Sequence, residues 1–114
     1  MTSFEGLRGR VVTPGDAEYE TARTSWNQLF SHRPAALVYV RSTADAVAAV
    51  AWARRAWMPL RVRSGGHCLE GWSTLDGGLV IDVSELTTVE IDVERRTATV
   101  GAGLTQLAPA ASAW

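Results

Sequence analysis

Apolar and polar positions alternate along the chain with two different periods, and the switches between them mark the elements. Residues 17–30, AEYETARTSWNQLF, carry Tyr19, Ala22, Trp26 and Phe30 at three- and four-residue spacing. That spacing predicts a short helix with one buried face, and Trp26 is expected to pack in the core or against another domain. Residues 36–41, ALVYVR, predict a strand. Ser42 then opens a second helix, with Asp45 at the capping-box position usually held by Glu. This helix is expected to run to about Ala56, with Ala46, Val47, Val50, Ala53 and Trp57 as its apolar face. Arg54 and Arg55 suit its C-terminal dipole, and Pro59 prevents continuation.

Residues 60–63, LRVR, predict a short strand, and 78–83, GLVIDV, a nearly all-apolar and therefore central one. Residues 88–93 and 97–101 alternate around the polar turn Glu94-Arg95-Arg96, which is a hairpin pattern. A last helix is expected from Gly103 to Trp114, with Leu104, Leu107 and Ala111 on one side. Residues 1–16 read as an irregular lead-in ending in the turn Pro14-Gly15-Asp16. The order gives one β-α-β unit followed by further strands and a helix, an α+β layout. Residues 1–34 form a lead-in and helix, and 35–114 the domain proper. Ending in an Ala-rich helix, the chain reads as the first part of a larger domain.

Composition narrows the possibilities. The chain has 114 residues, 46 % hydrophobic and 20 % charged, with a net charge of −1. That is a small globular domain, not a disordered one. All eleven basic residues are Arg, scattered singly or in pairs, which suggests a GC-rich genome and no nucleic-acid surface. A single Cys rules out an intramolecular disulfide and fits a reducing compartment. The first residues lack an apolar signal segment, and no apolar run approaches the ~20 residues of a membrane span. A cytoplasmic protein with no membrane partner is the expectation.

The reactive side chains cluster in RVRSGGHCLEGWS, residues 61–73. Gly65-Gly66 permits positive φ and close approach of a ligand, and successive amides in such a turn can cradle anionic oxygens. Ser64 adds a hydroxyl and Arg63 a charge-assisted donor. Two readings stand from spacing alone: a tight turn that merely bends the chain, and a pyrophosphate cradle. A phosphate-binding loop of the Walker type is absent, since there is no Lys. Gly101-Ala102-Gly103 half-matches a dinucleotide fingerprint, but position 106 is Gln, so a helix entry is the preferred reading. His67 and Cys68 are adjacent and the other His is distant at position 32, so no metal site is expected. Neighbouring side chains on an extended segment point apart, which argues against a Cys–His dyad. Cys68 reads as a small packed residue, and His67 either as a structural hydrogen-bonding group or as a residue reaching a bound cofactor.

Arg63-Ser64-Gly65-Gly66-His67, then Gly71-Trp72-Ser73-Thr74, then Gly77-Gly78-Leu79-Val80-Ile81-Asp82-Val83-Ser84, resemble the N-terminal FAD-binding segment of FAD-linked oxidases. The resemblance is to the vanillyl-alcohol-oxidase / p-cresol-methylhydroxylase superfamily, in its berberine-bridge-enzyme-like branch. It runs from about Trp26-Asn27 to Gly101. It implies the first subdomain of a PCMH-type FAD-binding domain, with FAD as cofactor and an oxidoreductase as the whole protein. It further implies loop contacts from Arg63, Ser64, Gly65, Gly66, His67 and Cys68, with Ser73 as a further one. The family's histidine, here His67, is commonly joined to the 8α-methyl of the flavin. Hydride then passes from a CH–OH or related donor to the flavin, usually with dioxygen as acceptor. The family's second, cysteinyl link and its catalytic base come from further downstream, and Cys68 does not stand in for that cysteine. No catalytic residue is expected in this stretch, a small-molecule substrate belongs to the complete enzyme, and the chain alone is expected neither to hold FAD tightly nor to turn over. The alternatives from another class are a truncated non-catalytic fragment and a nucleotide-binding module built on Gly101–Gly103.

Overall fold

A computed structural model describes residues 6–68 and 70–104. The elements are β1 (Arg10–Val12), α1 (Tyr19–Arg23), β2 (Ala36–Tyr39), α2 (Thr43–Arg55), β3 (Leu60–Arg63), β4 (Leu79–Asp82), β5 (Val89–Asp92) and β6 (Thr97–Val100). Strands β1, β2, β4 and β3 form one sheet in that order, and β5 pairs with β6 in a separate two-stranded ribbon. Strands β2 and β3 both run parallel to β4, while β1 is antiparallel to β2. The fold is α+β, as the pattern predicts, and the apolar strand β4 is central.

Period-two alternation divides the sheet into two layers. Val38, Val40, Leu79 and Ile81 turn to one side and pack with Ala36, Ala49 and Ala53. Val12, Leu37, Tyr39 and Val80 turn to the other and pack with Tyr19 of α1. The Tyr19 hydroxyl donates to the Pro34 carbonyl at 2.7 Å inside this second layer.

Helix α2 begins as its sequence predicts. The Ser42 Oγ accepts from the Asp45 amide at 3.1 Å. The buried Asp45 carboxylate in turn accepts from the amides of Arg41 at 2.9 Å and Arg8 at 2.8 Å. Its buried face differs from the expected one. Ala49 and Ala53 meet the sheet with Ala46 and Trp52 beside them, whereas Val47, Val50 and Trp57 face outward. In an Ala-rich helix, apolar residues surround the axis, and small size rather than polarity selects the side that can approach a sheet closely.

The helix closes with a Schellman pattern: the Met58 amide donates to Ala53 O and the Trp57 amide to Arg54 O. Trp57 occupies the left-handed position usually held by Gly, at φ 53°.

Three other expectations need correction. The lead-in is not irregular throughout, because Arg10–Val12 is an edge strand paired with Leu37–Tyr39. Three residues are too few to display a period. The first helix covers only Tyr19–Arg23, since Thr24 turns extended and its hydroxyl bonds back to Glu20 O. Trp26 therefore lies beyond the helix and is 65 % exposed, not in the core. The helix expected from Gly103 falls mainly on residues 105–114, outside the described residues.

Candidate functional site

The carboxyl ends of β2, β4 and β3 lie side by side, because Tyr39 pairs with Asp82 and Asp82 with Arg63. In open sheets with parallel strands, the crevice beyond these ends is where ligands bind. The glycine loop leaves β3 at this edge.

Its foundation is the Arg63 side chain. Nε donates to Asp82 Oδ2 at 2.7 Å, Nη1 to Ala22 O at 2.7 Å, and Nη2 to the Tyr39 hydroxyl at 3.2 Å. Arg63 and Asp82 are both buried. The guanidinium thus points down into the sheet and across to α1, and its nitrogens are occupied. It is not the free donor that the sequence suggests, so any ligand contact from Arg63 would come from its backbone. Beyond Tyr39, Arg10 lies over the phenol ring at 4.0 Å and bonds Glu18 and Glu85. Hydrogen bonding from Arg10 holds the Glu85 carboxyl below its usual value. A cleft of about 310 Å³ lies beneath the loop, with Thr21, Thr24, Tyr39, Arg63 and Ser84 in its walls.

Gly65 and Gly66 have φ of 78° and 71°, a left-handed pair that only glycine adopts without strain. A Cβ on Gly65 would meet open space, and one on Gly66 would come only within 3.7 Å of Arg63 Cδ. Backbone conformation, not crowding, therefore demands glycine here. Among the described residues, no acceptor takes the amides of Gly65, Gly66 or His67. The loop is pinned from both sides instead. The Trp26 amide donates to Gly66 O at 2.8 Å, and Ser64 Oγ donates to Ala102 O at 3.1 Å. A pinned turn whose amides no described residue accepts can take up anionic oxygens without reorganising.

His67 follows the turn and is exposed, with its ring 6.0 Å from that of Trp26 and tilted by 39°. Cys68 is half-buried, with Sγ 3.8 Å from Glu70 Oε2. Ser73 is half-buried further along the same connection. His32 is elsewhere, stacked on Phe30 with Nδ1 3.4 Å from Asp76 Oδ2. Among the described residues, no three His, Cys, Asp or Glu side chains group as a metal site would need. No helix among them is long and apolar enough to cross a membrane.

The Gly101-Ala102-Gly103 segment has a packing role. A Cβ on Gly101 would fall 2.1 Å from Leu86 O, and one on Gly103 would fall 2.3 Å from Val83 O. The Gly103 amide also donates to Leu86 O. These glycines seat the base of the ribbon against the β4–β5 connection. Sequence reading missed the Trp26–His67 pair, because residues so far apart carry no shared period.

Comparison with known proteins gives a consistent picture. The FAD binding domain family matches residues 34–112. FAD-linked oxidoreductase YvdP of Bacillus subtilis is 41 % identical over 99 residues, 86 % of this chain and 22 % of that protein. The crystal structure of 6-hydroxy-D-nicotine oxidase from Arthrobacter nicotinovorans superposes with a TM-score of 0.89 at 28 % identity, covering 98 % of this chain and 24 % of that one. Berberine-bridge-enzyme-like 1 of Physcomitrella patens gives 0.80 at 32 % identity, over 90 % of this chain and 24 % of its own. The chain therefore spans roughly a fifth to a quarter of the length of these relatives.

Proposed function

The chain belongs to the FAD binding domain family of FAD-linked oxidoreductases, and from that premise we propose that the loop after β3 is its flavin-anchoring site. The observation that carries this reading is the glycine pair itself. Two successive left-handed residues at the carboxyl edge of parallel strands leave amides with no acceptor among the described residues and open space where a Cβ on Gly65 would stand. These features fit the pyrophosphate of FAD, whose oxygens need donors and close backbone approach. Ser64, Gly65, Gly66, His67 and Cys68 supply these contacts mainly through backbone, with Ser73 a further contact. Arg63 contributes its backbone, while its side chain supports the loop from below.

His67 is the residue proposed to hold the flavin covalently. Were FAD bound, the His67 imidazole would hold it through a bond to the 8α carbon, the imidazole and the methyl group each giving up a proton and dioxygen taking up the freed electron pair. When bound, the flavin supplies the redox chemistry, accepting hydride from a CH–OH or related donor and usually passing electrons to dioxygen. This stretch spans roughly a fifth to a quarter of its relatives' length, and the reading assigns substrate binding and the catalytic base to the complete enzyme, with the stretch alone proposed to bind FAD weakly and not to turn over. Residues 35–114 are proposed as the FAD-binding part, with β1 and Tyr19 of the preceding stretch completing its sheet and core.

A titration monitored by flavin fluorescence tests the cradle. FAD is expected to bind at least about tenfold more tightly than riboflavin, which lacks the pyrophosphate. Equal affinity for the two would overturn the assignment.

A further inference from the structure

Trp26 lies outside both core layers, and the flavin-anchoring role just described does not use it. It is 65 % exposed, an unusual place for the largest apolar side chain. Its backbone is nevertheless fixed, because its amide donates to Gly66 O at 2.8 Å. The indole is thereby fastened to the turn that presents His67, with ring centroids 6.0 Å apart. This separation and tilt fall within the range of attractive aromatic pairs. An exposed imidazole on a loop otherwise samples several rotamers.

We infer that Trp26 is a positioning residue for His67. Its indole covers one side of the imidazole and confines that ring to a narrow range of orientations at the mouth of the glycine loop. The inference rests on His67 being the flavin anchor for its purpose, though not for its geometry. An anchoring nitrogen must point at one carbon atom, and orienting it in advance removes rotamer entropy from the barrier. Trp26 touches no reacting atom in this account.

The test uses the 114-residue chain and its two histidines. Both are carbethoxylated with diethyl pyrocarbonate at mildly alkaline pH, and each rate is read by peptide mass spectrometry. His32, stacked on Phe30, serves as the internal reference. Trp26→Ala is expected to raise the His67 rate about fivefold, the size of one aromatic contact, and to leave the His32 rate unchanged. Trp26→Phe should lie nearer the wild type. The His67 ring protons should also move toward unstructured values in Trp26→Ala while the amide spectrum of the sheet stays in place. Unchanged His67 rate and ring shifts in Trp26→Ala would overturn the proposal. Incubation with FAD separates this outcome from failure of the anchor itself. If His67→Ala keeps acid-stable flavin, the anchor assignment fails, and the ring pairing is still decided by the carbethoxylation rates.

Discussion

Arg63 Nε donates to Asp82 Oδ2 at 2.7 Å from the last residue of one parallel strand to the last residue of its neighbour, with both side chains only 5 % exposed. The pair lies directly beneath the glycine loop. Removing one partner leaves a buried charge uncompensated, so Arg63→Met or Asp82→Asn should destabilise the fold by about 3–5 kcal/mol. The double variant Arg63→Met/Asp82→Asn should cost less than the sum of its singles, since no orphaned charge remains. Urea denaturation of the three variants checks both statements.

The two glycine clusters should respond differently to alanine. Gly65→Ala meets no atoms and incurs only left-handed strain, about 1–2 kcal/mol. It should therefore fold, yet bind FAD less well because the turn opens. Gly101→Ala collides with Leu86 backbone and should loosen the β5–β6 ribbon. Hydrogen exchange at Val89–Val100 would detect this, with faster exchange expected in Gly101→Ala and not in Gly65→Ala.

Trp57 offers a stabilising change. It holds a left-handed φ of 53° at the end of α2 and is 94 % exposed. Glycine suits that position without losing packing, so Trp57→Gly should raise stability by about 1 kcal/mol. A lower melting temperature in that variant would show that Trp57 is buried by something in solution.

Acid should act through Asp45. Burial pushes its carboxyl up, but the amides of Arg8, Arg41 and Gly9 together outweigh this and hold it below the ordinary value. A lowered folded-state value means the stabilisation is complete above the unfolded carboxyl, near pH ~3.9, and is lost as pH falls through the folded value. Wild-type stability should thus decline on acidification through this range. Asp45→Asn should be less stable at neutral pH, by about 1–3 kcal/mol, and flatter in acid.

Much of this arrangement was legible in the sequence where chemistry and period agreed. Ser42 and Asp45 marked a helix start, the apolar run at Leu79–Asp82 marked a central strand, and Gly65-Gly66 marked a left-handed turn. Physics hidden from a linear pattern decided the rest. Strand β1 is short and gains its structure from pairing with β2. Residue size, not polarity, selected Ala49 and Ala53 as the buried side of α2. Arg63 looked like a ligand donor because Arg usually is one beside glycines. Only the strand register reveals that Asp82 and Tyr39 stand ready to receive it.

The most direct measurement is the flavin content of acid-precipitated protein. The chain is incubated with FAD in air, precipitated, washed, and its pellet examined for flavin absorbance. A covalent bond accumulates even where reversible binding is weak, so the wild-type pellet should be yellow and that of His67→Ala colourless. A colourless wild-type pellet, or equal colour in both, would contradict His67 as the flavin anchor.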